Sequence, residues 1–307
     1  MNDAIILRTK NYNKLDIKKM VQYVFNNFLN SSITKYDEVL IKPNLMYYWD
    51  SSTGETTDPF LVSCIIENIF DVCGKNTNIK IIESDASAMR TKYAFRILGY
   101  DKIINDNIEL LNLSKGEHTI EKVSVRNKDI KIKINNVLKG DYYLINIPKL
   151  KIHRNPPILT CALKNNFGLI STPYKYQYHK NLVDYIMGIN KIIKNDLIFL
   201  DGLVMLGKYP KKMGAVLATH DPITCDVISS KVCGINPKND YIISKFLTKQ
   251  HEYDTIDLFD PYDVMDGLIK DFPKTNPHFD KLLWDAQLYL LNLYTKIVGD
   301  IKPPILD

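Results

Sequence analysis

Short apolar runs alternate along this chain with longer amphipathic stretches, and that order leaves few folds open. Residues 37–41, 78–82, 141–147, 197–200 and 216–219 read as buried strands. Between them, residues 16–29, 60–73, 86–98, 182–193 and 224–233 read as helices, three of them stopped by Gly74, Gly99 and Gly234. Glycine ends a helix because it takes a left-handed backbone without steric penalty. Strands alternating with helices specify the α/β class, with a mostly parallel sheet flanked by helices. Residues 109–113 add a further strand. Residues 120–136, rich in Val, Ile and Lys in rough alternation, predict a small β meander or hairpin exposed on one face. Residues 241–247 read as a short helix, and residues 279–298 as a final helix with an aromatic stripe. The 307 residues suit a single α/β domain over 1–307, or two intimately packed lobes divided near 115–140.

Several function classes fall away. The formal net charge of +5 is mild and gathers into no basic tail, so it does not argue for nucleic acid. No run approaches the roughly 18 apolar residues of a membrane span, and residues 1–15 lack the pattern of a signal peptide. The five cysteines, Cys64, Cys73, Cys161, Cys225 and Cys233, contain no C-x-x-C pair. They read as buried small hydrophobes in a reducing compartment, which predicts a cytoplasmic protein with no disulfide framework and no iron–sulfur cluster of its own. P-loop, G-x-G-x-x-G and G-x-S-x-G motifs are absent, so neither nucleotide phosphates nor a serine triad is expected.

The strand ends carry the informative chemistry. In open α/β sheets, ligands bind outside the carboxyl ends of the strands. Five strands here end in polar residues: Lys42-Pro43-Asn44, Glu83-Ser84-Asp85, the run from Lys149 to Arg154, Asp201-Gly202 and His220-Asp221. Lys42 follows a buried run, so it meets either a ligand carboxylate or phosphate or a neighbouring acid. Lys149, Lys151 and His153 recur at period two and share one face if extended. Three cations on one face repel unless they surround an anion or acidic partners; the alternative is a solvated edge strand. Lys164, beside Asn165, suits a general base, a Schiff-base amine or a fixed anion contact. His153 and His179 are the acid–base histidines, although His179 lies in a Tyr/Lys-rich loop that could simply be surface. Thr56 and Thr57 precede a helix whose first-turn amides could hold an anion, with Thr57 or Asp58 as its cap. Glu83, Asp201, Asp221 and Asp226 line or orient the site, or cap helices. No His/Asp spacing matches a metal signature, so no metal is assigned.

Taken in order, these motifs resemble the prokaryotic family called domain of unknown function 362. The matching residues are Val39 to Asn44, Thr56 to Pro59, Glu83-Ser84, Pro148 to His153, Ala162 to Gly168, His179, Asp201-Gly202, and Asp221-Pro222 with Asp226. They span residues 42–237. Lys164-Asn165 with Phe167-Gly168, after Lys151-Ile152-His153, is the most specific part. Many relatives carry a ferredoxin-like module with clustered cysteines. This chain lacks it, which weakens any electron-transfer role.

The expected function is an enzyme acting on a small anionic metabolite, a carboxylate or phosphate, by Lys/His acid–base and electrostatic catalysis. Isomerisation, elimination and condensation or cyclisation need only these parts. The catalytic set is Lys164, His153, His179 and Glu83. The binding set is Lys42, Asn44, Thr56, Thr57, Lys149, Lys151, Asn165, Asp201, Asp221 and Asp226. No cofactor is assigned, and a homo-oligomer is compatible with the sequence. The alternatives are a redox or iron–sulfur accessory protein with a separate partner and a non-catalytic anion-binding protein.

Overall fold

The computed structural model describes residues 3–9, 11–29, 31–154 and 157–274. The chain opens with strand β1 (Ala4–Arg8), helix α1 (Lys14–Asn27), β2 (Glu38–Pro43), α2 (Pro59–Cys73), β3 (Asn78–Glu83), α3 (Thr91–Ile97) and β4 (Ile108–Asn112). A hairpin of β5 (His118–Val125) and β6 (Lys128–Asn135) follows. Next come β7 (Tyr143–Ile147), β8 (Lys149–Arg154), β9 (Pro157–Thr160), the short helix α4 (Ala162–Asn165) and α5 (Leu182–Ile192). The described part closes with β10 (Leu197–Leu206), β11 (Pro210–Thr219), α6 (Pro222–Cys233), β12 (Leu258–Phe259) and α7 (Val264–Asp271).

The main sheet runs in the order β12-β1-β11-β10-β7-β2-β3-β4, with β8 on β10 and β9 on β8. Strands β4, β3, β2, β7 and β10 pair in parallel. Antiparallel pairing enters through β11, which pairs with both β10 and β1. The fold is therefore mixed α/β, with a mostly parallel sheet flanked by helices and a separate antiparallel hairpin of β5 and β6.

Both faces of the sheet are covered. Along β1, Ile5 and Leu7 enter one core with Ile17 and Val21 of α1 and Leu61 and Ile65 of α2. Ala4 and Ile6 enter another with Val227 and Ile228 of α6 and Leu268 of α7. Side chains alternate faces along a strand, so one short run feeds two cores. A third core joins Leu40 and Leu144 to Ile132 and Ile134 of the hairpin and Ile189 of α5. Each fully buried Ile or Leu contributes roughly 1.5–3 kcal/mol.

Several predicted elements shift. The run at 4–8, unassigned from sequence, is a strand between β11 and β12, a position fixed only by pairing with distant segments. The strand expected at 216–219 is the last part of the longer β11, whose earlier residues pair with β10 across a register shift between Gly202 and Val204. The helix expected from 86 begins at Thr91, after a bridge between Ala86 and Met89 and a left-handed Ala88 at φ 62°. The segment 241–247 holds only a 3-10 turn, Ile243–Lys245. The stretch 149–178, weakly periodic in sequence, contains β8 and β9, which pair antiparallel from Lys151 opposite Thr160 to Arg154 opposite Pro157. The helix expected at 279–298 lies outside the described residues, and no helix among the described residues is long and apolar enough to cross a membrane.

Candidate functional site

Lys42 ends β2, and Asn146 of β7 lies opposite it in the register. Lys149 stands opposite Asp201 of β10. Parallel pairing thus brings together the ends of β2 and β7, the start of β8 and the middle of β10, since the strand expected to stop at Asp201-Gly202 runs on to Leu206 through the register shift after Gly202. Lys42, Lys149 and Lys151 are at most 1% exposed. Ammonium groups removed from water need acidic or carbonyl partners, and each has them. Lys42 Nζ lies 2.7 Å from Glu83 Oε2 and 2.6 Å from the Pro43 carbonyl. Lys149 Nζ donates to Asp201 Oδ2 at 2.9 Å. Lys151 Nζ reaches Glu55 Oε2 at 3.1 Å, the Glu55 carbonyl at 2.5 Å and Asn44 Oδ1 at 3.0 Å.

Asp201 is held on three sides. Besides Lys149, it accepts the Asp58 N–H at 2.8 Å and, beside the bulge in β10, the Leu203 N–H at 2.9 Å. Asp58 is the N-cap of α2, accepting from Phe60 N; it is the cap, while Thr57 binds Ile147 and Asn44 instead. Burial and the nearby Asp201 raise the pKa of Asp58.

Asparagines tie the strand ends to α4. Asn165 Nδ2 donates to Asn146 Oδ1 (2.7 Å) and the Lys42 carbonyl (3.2 Å), while its Oδ1 accepts from Asn44 Nδ2 at 2.9 Å. Asn146 continues to Asn166 at 3.1 Å, and Asn166 to Asn190 at 2.8 Å. Thr57 Oγ1 accepts the Asn44 N–H and donates to the Ile147 carbonyl, both at 2.8 Å. Thr56 donates to the Trp49 carbonyl at 2.7 Å. A closed amide network of this kind fixes side-chain directions, because any member turned away leaves a buried polar group unpaired.

Two further lysines differ. Lys164 Nζ bonds Thr160 Oγ1 at 3.1 Å. Lys175 Nζ contacts Ser84 Oγ and the Gly168 carbonyl. Among the described residues neither has a carboxylate within salt-bridge distance. Burial, and then the neighbouring Lys151, push the Lys164 pKa down to about 7. Burial brings Lys175 down to about 8, against the pull of Glu83. Lys151 also falls to about 8 by burial, with Glu55 opposing.

Gly168 is required by this packing. A Cβ there would lie 2.7 Å from Lys42 Cε, 2.8 Å from Lys42 Nζ and 2.9 Å from Glu83 Oε1. Gly168→Ala is therefore expected to cost about 1–3 kcal/mol through overpacking and to displace the Lys42–Glu83 pair. Urea unfolding of the two proteins measures it; an unchanged midpoint would show that the pair yields freely.

Other residues singled out from sequence stand apart from this cluster. Asp221 caps α6, accepting the Thr224 N–H at 2.7 Å, and pairs with His251 at 3.3 Å. Asp226 lies under α4 and accepts the N–H groups of Ala162 (2.7 Å) and Leu163 (3.3 Å). His179 is exposed and bonds the Tyr176 carbonyl through Nδ1 at 3.2 Å. His153 belongs to β8, and its side chain is outside the described part. His220, Nδ1 on the Asp196 carbonyl at 2.7 Å, stacks on Phe28. Sequence reasoning missed Lys175 and Asn146 and gave no site role to Glu55 or Ser84, although both lie in segments it singled out. Glu55 sat within the helix-start segment already singled out, and only the demand of Lys151 for a counter-charge marks it. Lys175 carries no local signal.

The model of the family described as "Domain of unknown function (DUF362)" matches residues 39–231. No curated protein matches the sequence. Among solved structures, the lactate racemase apoprotein from Thermoanaerobacterium thermosaccharolyticum is similar with a TM-score of 0.43 and 13% identity, over 71% of this chain and 55% of that one. The chain thus spans about half the length of that protein.

Proposed function

The chain belongs to the DUF362 family, and from that premise and the lysine cluster we propose an enzyme that acts on a small anionic metabolite, a carboxylate or phosphate, at the strand ends. The observation that carries the reading is the pair Lys164 and Lys175, two enclosed amines without carboxylate partners among the described residues, beside three ion-paired lysines. Unpaired buried amines cost folding free energy, so their placement beside further positive charge favours a role over a purely structural account. An arriving anion supplies the missing charge.

Roles follow from the electrostatics. Lys164, with a pKa near 7, is available as a neutral amine to take a proton or to attack a carbonyl. Lys175 and Lys151 would stabilise negative charge as it develops. Glu55 is the most exposed acid of the three ion pairs, at 24% of its side chain, so a ligand carboxylate would most readily displace it from Lys151. Lys42 and Lys149 are matched by Glu83 and Asp201 and act mainly by holding the scaffold and its field. His179, at the surface, is a weaker acid–base candidate than Lys164. These parts suit isomerisation, elimination or condensation.

Anion binding should be coupled to proton uptake. A nearby negative charge favours the protonated amine and raises both depressed pKa values. Calorimetric titration with inorganic phosphate and short-chain carboxylates, in buffers of different ionisation enthalpy, should show uptake between about pH 7 and 9 and none well below pH 6. Lys164→Met should remove part of it. Absence of binding by every anion, or binding without proton uptake, would sink the proposal. Binding with no turnover across candidate metabolites would leave an anion-binding protein.

A further inference from the structure

At the start of α4 lies a second polar group that the proposed chemistry does not use. Cys161 Sγ and Cys225 Sγ are 3.6 Å apart, and Cys161 Sγ is 3.4 Å from Ser229 Oγ. Asp226 follows Cys225 on α6, and its carboxylate joins the two sulfurs within 4.8 Å. All four side chains are buried, at most 1% exposed.

Asp226 is the unusual member. Among the described residues it makes no ion pair; its oxygens take the Ala162 and Leu163 N–H groups. A buried carboxylate without a counter-cation either stays protonated or binds a cation. A divalent metal would supply the missing positive charge and hold all three side chains in their anionic forms, because coordination deprotonates its ligands.

We propose that Cys161, Cys225 and Asp226 form a metal site for a thiolate-seeking divalent ion, zinc above all, with Ser229 or a water in the fourth position. Two thiolates bound tetrahedrally at about 2.3 Å stand about 3.8 Å apart, close to the observed spacing. Sulfurs in plain contact would lie at a similar distance, and the adjoining carboxylate, which has no counter-cation among the described residues, is what turns the pair into a donor set. The two backbone N–H groups would orient the carboxylate, as hydrogen bonds around a metal generally do. Cys161 immediately precedes α4 and Cys225 lies in the first turn of α6. The ion would therefore join the two helices behind Lys164 and Asn165. Positions 161 and 225 are too far apart in sequence for any spacing motif to reveal this set.

The test is native mass spectrometry with elemental analysis of untagged protein, followed by replacement of the metal with cobalt(II). One zinc per chain is expected, and the cobalt form should show thiolate-to-cobalt charge transfer with the intense visible bands of a tetrahedral centre. Cys225→Ala should lose both the metal and the bands; if it fails to fold, the wild-type cobalt spectrum still decides. A metal-free protein that gives no such spectrum when refolded with cobalt(II) overturns the proposal. So does a mass two hydrogens lighter, which marks a disulfide, or zinc retained in a folded Cys161→Ala/Cys225→Ala protein.

Discussion

Asp201→Ala is expected to destabilise the protein by about 3–5 kcal/mol, the cost of stranding one member of a buried ion pair. Lys149 and Asp201 are both fully buried, 2.9 Å apart. Removing the carboxylate leaves the Lys149 ammonium and the N–H groups of Asp58 and Leu203 without their acceptor. The double variant Lys149→Met/Asp201→Leu should regain only the part of the loss that comes from the stranded ammonium, because the Asp58 and Leu203 N–H groups still lack their acceptor. Denaturant unfolding of the single and double variants measures this. A loss below about 1 kcal/mol in Asp201→Ala would mean that water reaches the pair and screens it.

Lys164→Met is expected to do the opposite to stability while abolishing the proposed activity. The folded-state pKa of Lys164 lies near 7, below its ordinary 10.5. Between those values the unfolded chain binds more protons than the native one, so stability rises with pH across the window. Below about pH 7 both states are protonated, and the full penalty of burying the ammonium is felt. Methionine removes the penalty, so the variant should melt higher at neutral and lower pH, with a flatter rise toward pH 10. Each kcal/mol regained shows as about 2–4 °C. Because Lys164 keeps some contact with solvent, the gain is smaller than full burial would give. Lys175, near 8, leaves a residual slope in the variant. Turnover of any substrate should fall by about 10²–10⁴, the usual contribution of a general acid or base. A variant that melts lower at pH 6, or keeps full turnover, removes Lys164 from its proposed role.

What could be read from the sequence follows from where each signal is stored. Lys42, Lys149 and Lys151 stood out because a lysine at the close of an apolar strand must find a counter-charge, and that is a local contradiction. Lys164 stood out for the same reason within its apolar run. The partners were less visible: Glu83 and Asp201 were marked by their own strand ends, whereas Glu55 and Asn146 acquire meaning only from pairing. Lys175 sits among tyrosines and polar residues typical of a solvated loop, and only the folded chain brings it against Ser84 and Gly168. Asp221 and Asp226 had the right residue type and the right strand-end context, but they serve α6 and α4 instead. The strand alternation was legible, while the antiparallel turn of the sheet through β11 was not, because an apolar run does not state its direction.

That turn has a bearing on how the protein is made. Strand β1 is flanked by β11 and β12, with Ala4 opposite Thr219 and Leu258. Its hydrogen-bonding partners leave the ribosome roughly 200 residues after it does, a delay of about 10–40 s at ordinary elongation rates. For that time Ile5, Ile6 and Leu7 form an apolar strand with two open edges, the kind of segment that chaperones hold and that aggregates when they do not. The central sheet therefore cannot close until β11 has emerged, and its completion is timed by the arrival of β11.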